Sequence, residues 1–291
     1  MSGIRFDLRS LFDHVSELHR RMHVVRTLHT LPFAAIGALW SGAGYPGGFK
    51  IFLLGLVVLF GRGLSTSLLR LFKAPADVSN PESPAEALTE DRVPAAVWAA
   101  FAVHAASFLV LCSYGLNATS GHLSWLVCLG LTVHAAIRRH TGLTHFLVGL
   151  GLGAVPLGAW VALRGSLGPD ALPAFVLGGG ILFWAAGLDM IYSLLAPVAE
   201  ARRSFRRPAW LTPGRVMALA QGCQITAILL FGLALGSALD PRAAALGTGL
   251  VAGALIVSRL TLGPSDSPRI TRRFFALQLL VGPLLLIASL A

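Results

Sequence analysis

The stretch DALPAFVLGGGILFWAAGLDMIYSLLAPVAEARRSFRR, from Asp170 to Arg207, decides the class of fold. From Ala171 to Leu195 its only charged residue is Asp189, and four arginines then crowd into Arg202–Arg207. An apolar run of this length matches the ~20 residues that a helix needs to cross the hydrocarbon core of a bilayer. A carboxylate inside it is costly and marks a site by default. The basic burst is the flank expected where a span leaves the membrane.

Working outward, the same pattern recurs. The chain has 291 residues, 55% hydrophobic and 12% charged, about half the charged fraction of a soluble protein. Its apolar blocks are solid rather than alternating, which excludes a transmembrane β-barrel. Nine spans are predicted, over roughly 27–45, 48–71, 93–116, 121–138, 143–164, 170–196, 212–236, 241–261 and 273–290. The fold class is therefore all-α, a polytopic membrane bundle. No removable signal peptide is read ahead of the first span. Cys112, Cys128 and Cys223 lie within apolar blocks without CxxC spacing and read as small buried hydrophobes.

The formal charge of +10 is an orientation signal and not a nucleic-acid surface. Connections after the first, third, fifth and seventh spans carry only Lys50, Arg164 and Arg242. The other side receives the N-terminal arginines, Arg70, Lys73, Arg92, Arg138, Arg139, the run Arg202 to Arg215, and Arg259 to Arg273. The positive-inside rule then puts the N-terminus in the cytoplasm and the C-terminus outside; the membrane expected, from the resemblance given below, is a bacterial inner membrane.

Residues 1–25 read as an amphipathic interfacial segment ahead of a single transmembrane domain over 26–291. Phe6, Leu8, Leu11, Phe12, Val15 and Leu18 form its apolar side. His19 and His23 stand i, i+4 without an evident third ligand, so a solvated polar face outweighs a metal site. Two long connections, Leu68–Pro94 and Ala196–Arg215, are placed to cap a cavity between helices. In the first, Glu82, Glu86, Glu90 and Asp91 read as a solvated acidic face.

Five stretches carry a resemblance: LPFAAIGAL (Leu31–Leu39), the loop LLRLFKAPADVSNPESPAEALTEDRVP, RRHTGLTHFLVGLGLGAVPLGAW (Arg138–Trp160), FWAAGLDMIY, and the loop APVAEARRSFRRPAWLTPGR. Together they resemble the UbiA superfamily of membrane prenyltransferases, and within it the bacterial 4-hydroxybenzoate polyprenyltransferase branch, over roughly residues 25–235. The resemblance implies a helical bundle around a central cavity. A polyprenyl diphosphate would lie there, held through Mg²⁺ by two aspartate-rich motifs, and its chain would pass to an aromatic ring. Hard dications want carboxylate oxygens, and a diphosphate leaves only when its charge is neutralised.

Placed on the family's motifs, this sequence departs from them. The first motif, Asn-x-x-x-Asp-x-x-x-Asp, falls on Leu69, Lys73 and Asp77, with Pro75 expected to end or kink the helix. The second falls on Asp189, Tyr192, Ala196 and Glu200, with Pro197 beside it. Asp77, Asp189 and Glu200 are the metal candidates that remain. Lys73 repels a dication but suits a phosphate as a point charge. The resemblance makes Arg62 a contact of the acceptor's carboxylate, or else a partner of Asp189 or a carbonyl. Arg138, in place of a family lysine, and Arg139 become diphosphate contacts, or else topological anchors. His134 replaces a family tyrosine.

Three readings follow. The chain is a member that has lost or weakened catalysis and holds a prenyl lipid or quinone-like ligand among membrane lipids, or serves with a membrane-protein partner. Alternatively it is an active prenyltransferase with altered Mg²⁺ use, Asp77 and Glu200 holding one ion. Third, it moves an anionic lipid, its glycine-rich spans allowing motion, although such glycines more commonly allow close helix packing. Loss of three ligand positions together favours the first, because changes within one metal site commonly cost orders of magnitude in rate.

Overall fold

A computed structural model describes residues 30–77, 94–137, 141–195, 211–260, 274 and 276–291, the side chains of 73–77 and 195 excepted. The interfacial segment 1–25, with His19 and His23, and the acidic run Glu82–Asp91 lie outside them.

Nine α-helices are present among the described residues: α1 Leu31–Trp40, α2 Gly47–Asp77, α3 Ala95–Leu116, α4 Ala118–Ile137, α5 Thr144–Arg164, α6 Leu172–Leu195, α7 Pro213–Ala238, α8 Pro241–Leu260 and α9 Val281–Leu290. Seven helices are long and apolar enough to cross a membrane, and the apolar helices at Leu31–Trp40 and Ala276–Leu290 are shorter. Among the described residues, seven of the nine expected spans are thus membrane-length helices, and the first and last are represented by shorter ones. Cys112, Cys128 and Cys223 are free thiols; the first and last are buried as the sequence implied, and Cys128 is only half-buried.

Two groups of helices share α5. In one, α1 packs on α5, α5 on α6, α6 on α7, α7 on α8, α8 on α9, and α9 returns to α1. Their shared core holds Phe33, Ile36, Leu177, Ile181, Trp184, Phe231, Leu235, Val251, Leu255 and Leu285. In the other, α2, α3 and α4 pack on one another and against α5. Leu64, Leu68, Ala102, Ala105, Leu109 and Ala135 fill that interface.

Helix α6 is the hub. In the span Pro169–Leu194, 56% of the most apolar window is buried, against 22–39% in the other six. Glycines on two of its sides explain this. Gly178 faces Gly153 of α5, and Leu182 faces Gly149, so closely that a Cβ at any of the three glycines would overlap a backbone carbonyl. On the other side Gly180 meets Phe231 and Gly187 meets Ala220 and Cys223 of α7. Lipid tails give helices no hydrophobic reason to associate, so small residues that admit backbone contact supply the attraction by close packing.

A buried polar thread crosses the larger group. Trp184 Nε1 donates to Gln278 Oε1 at 2.7 Å, and Gln278 Nε2 donates to Ser258 Oγ at 2.8 Å. It ties α6 and α8 to the segment before α9 and satisfies groups that would be costly to leave unpaired in hydrocarbon.

Candidate functional site

Because successive helices run antiparallel, the C-terminal ends of α2, α4 and α6 share one end of the bundle with the N-terminal ends of α3, α5 and α7. Of the motif positions, Leu69, Asp189, Tyr192 and the backbone of Lys73 and Asp77 are described, and they belong to that end.

On the α2 side, the helix does not stop at Pro75 but runs on to Asp77. Pro75 therefore costs a single rung of the last turn instead of breaking the motif. Positions 69, 73 and 77 keep an i, i+4 spacing on one helical face. Leu69, at the first motif position, packs with the apolar cluster of Leu64 and Leu68. Arg62 lies on the same helix, half-buried. Lys73 and Asp77 have their backbone in α2, and their side chains are outside the described residues.

On the α6 side, Asp189 is 23% exposed and is held by His145 in the first turn of α5, Nδ1 to Oδ2 at 2.7 Å. Tyr192, less than one turn further, is exposed. Ala196 and Glu200 lie outside the described residues, as do Arg138 and Arg139 between α4 and α5. His134 is buried at the end of α4. The partner the structure gives Asp189 is thus a histidine, where the sequence had offered Arg62.

His145 is the residue that sequence reading passed over. It stands inside the RRHTGLTHFL stretch, yet its partner is 44 positions away, and only the α5–α6 crossing brings the two together. Other polar groups gather nearby. Thr144 is buried, and its Oγ1 has no hydrogen-bond partner among the described residues. The same holds for Gln224 Nε2 on α7, whose side chain lies against Gly187. Phe146, beside His145, meets Phe183 of α6 edge-on, ring centroids 6.2 Å apart. Phe183 also lines an open groove of about 650 Å³ that follows α7 along Leu211, Arg215, Leu219, Gly222 and Thr226. At the same end Arg259 of α8 donates from Nε and Nη2 to the Gln221 amide oxygen of α7, both at 3.0 Å, once that amide is turned to face it.

Of the three metal candidates, only Asp189 has its side chain among the described residues. Leu69 offers no oxygen and is packed among leucines. Asp189 spends one carboxylate oxygen on an imidazole. Lys73 brings positive charge, which repels a dication, and Ala196 brings no ligand at all. No three His, Cys, Asp or Glu side chains converge among the described residues.

An all-helical bundle with seven membrane-length helices and its polar motifs gathered at one end defines a polytopic membrane protein. The UbiA prenyltransferase family matches residues 30–280, and the chain belongs to that family. Two solved structures share the fold. A UbiA homologue from Aeropyrum pernix K1, in its apo form, has a TM-score of 0.76 and 22% identity over 92% of this chain and 98% of its own. A structure reported for the biosynthesis by digeranylgeranylglyceryl phosphate synthase in membranes has a TM-score of 0.69 and 14% identity, over 95% and 99%. No curated protein matches the chain.

Proposed function

We propose that this UbiA-family protein holds a prenyl lipid, or a quinone-like molecule with a prenyl tail, without transferring the chain to an aromatic acceptor. The observation that carries this reading is the engagement of the Asp189 carboxylate by His145 at 2.7 Å. A carboxylate committed to an imidazole is a weaker ligand for a hard dication, and the loss of oxygen at Leu69, Lys73 and Ala196 points the same way. What remains is a helical bundle with an apolar interior and a few polar groups at one end, which is what an isoprenoid with a small polar head requires. The motif end carries most of the arginines and faces the cytoplasm of a bacterial cell in this reading. A membrane-protein partner for such a lipid-holding subunit belongs to the same proposal.

The active alternative draws support from α2. Because the helix persists to Asp77, Lys73 and Asp77 keep their i, i+4 spacing, and in that alternative Lys73, Arg138, Arg139 and Tyr192 bind the diphosphate. In that alternative Asp77 and Glu200 hold one Mg²⁺, and 4-hydroxybenzoate or a similar ring is the acceptor.

One experiment separates them. Purified protein in nanodiscs is titrated with a prenyl thiodiphosphate with and without Mg²⁺, and separately incubated with a polyprenyl diphosphate and 4-hydroxybenzoate. The proposal expects no prenylated product and no magnesium-dependent binding. Magnesium-dependent binding of the thiodiphosphate, or product, overturns it in favour of the active enzyme.

A further inference from the structure

The His145–Asp189 pair has a free side. His145 makes its hydrogen bond through Nδ1, and its side chain is 17% exposed. Its Nε2 is neither buried nor bonded among the described residues. An ionised carboxylate only accepts hydrogen bonds, so the hydrogen shared with Asp189 sits on Nδ1. A neutral imidazole with its hydrogen on Nδ1 presents Nε2 as a lone-pair acceptor. The carboxylate therefore fixes the tautomer and the ring orientation, as carboxylates do for imidazoles in many sites.

Apolar residues flank both members of the pair. Phe146 follows His145, and Leu188 and Met190 flank Asp189. All three belong to the cluster built on Ile191, Val216 and Ala220. An acceptor nitrogen in such a setting favours a ligand that is apolar in body and carries one donor. It disfavours the oxygens of a diphosphate, which bring only lone pairs when ionised. The geometry points to a ligand-contact role for His145: Nε2 accepts a hydrogen bond from the hydroxyl of an isoprenoid, either a prenyl alcohol or a prenylated hydroquinone, with Asp189 as the positioning residue behind it. This rests on the reading that the protein holds a prenyl lipid, and it names the head group.

The test compares molecules that differ only in the donor. Binding of geranylgeraniol and of its methyl ether is measured on the full chain in nanodiscs, for wild type, H145A and H145N. A prenylated hydroquinone and its quinone form a second pair. Asparagine can keep a donor near the Nδ1 position, and so the bond to Asp189, while lacking any equivalent of Nε2. H145N thus separates loss of the contact from loss of the fold, which H145A alone does not. One neutral hydrogen bond corresponds to about a five- to tenfold ratio.

Wild type is expected to prefer the alcohol over its ether, or the hydroquinone over its quinone, by that factor, and both variants to bind the members of each pair equally. The pair that shows the preference identifies which lipid supplies the hydroxyl. Equal binding by wild type in both pairs, or a preference that survives in H145N, overturns this inference alone. Binding of none of the four molecules overturns it together with the reading on which it rests.

Discussion

The two ends of the bundle are built on opposite plans. At the end away from the motifs, connections are short and several of their polar groups bond one another across helices. Asn117 is the single residue between α3 and α4. Its Nδ2 donates to the carbonyls of Val161 and Ala162, at 2.8 and 2.9 Å, while its Oδ1 accepts from Ser120 N. Thr119 donates to the Gly165 carbonyl at 2.6 Å. Arg164 donates to the Ser41 carbonyl and to Asp170. At the motif end, connections are long and charged, and buried atoms such as Thr144 Oγ1 and Gln224 Nε2 have no partner among the described residues. Buried atoms without a partner among the described residues stand at both ends, Trp40 Nε1, Ser120 Oγ and Trp160 Nε1 away from the motifs, so the contrast lies in the connections, short and cross-bonded at one end, long and charged at the other.

Substitutions break this contrast in graded ways. The largest effect is expected from G178V on α6, which drives a side chain into the Gly153 carbonyl and damages both ends through their common hub. A loss of more than about 3 kcal/mol, or failure to fold, should appear in thermal unfolding and gel filtration. N117A attacks only the end with short connections. It removes a helix cap and leaves two carbonyls short, for about 2 kcal/mol in a denaturation midpoint, with lipid binding unchanged. R164A should cost less, about 1 kcal/mol, since its pair with Asp170 is 43% and 47% exposed. At the motif end the order reverses: H145N is expected to move the midpoint by less than about 1 kcal/mol while removing the preference for a hydroxyl-bearing isoprenoid. The smallest effect belongs to magnesium. Adding it or chelating it should leave the unfolding midpoint where it was, because a ligand that binds neither state shifts nothing.

Much of this was legible in the sequence, because a bilayer imposes one strong rule: backbone groups in hydrocarbon must be satisfied within the segment, so apolar runs become helices. Asp189 declared itself for the same reason, as a lone carboxylate in such a run. What stayed hidden is what depends on one helix meeting another. The glycine-rich tracts suggested close packing, but that Gly149, Gly153 and Gly178 make it shows only where α5 and α6 touch backbone to backbone. His145 looked like an ordinary residue at a helix start, and its meaning comes wholly from a contact across that seam. Pro75, expected to end or kink the helix, does not end it, since α2 runs on to Asp77, the last described residue there.

The one-residue link at Asn117 bears on how the protein is made. A connection of that length leaves no polar loop to be handed across the membrane, so α3 and α4 must enter the bilayer as a single hairpin. Because Asn117 and Thr119 answer for the backbone of both the turn and the neighbouring α5 terminus, that hairpin can settle below the headgroups once α5 arrives. The order of synthesis then matches the order of need: the turn is laid down first, and the carbonyls that complete it come two spans later in the same chain.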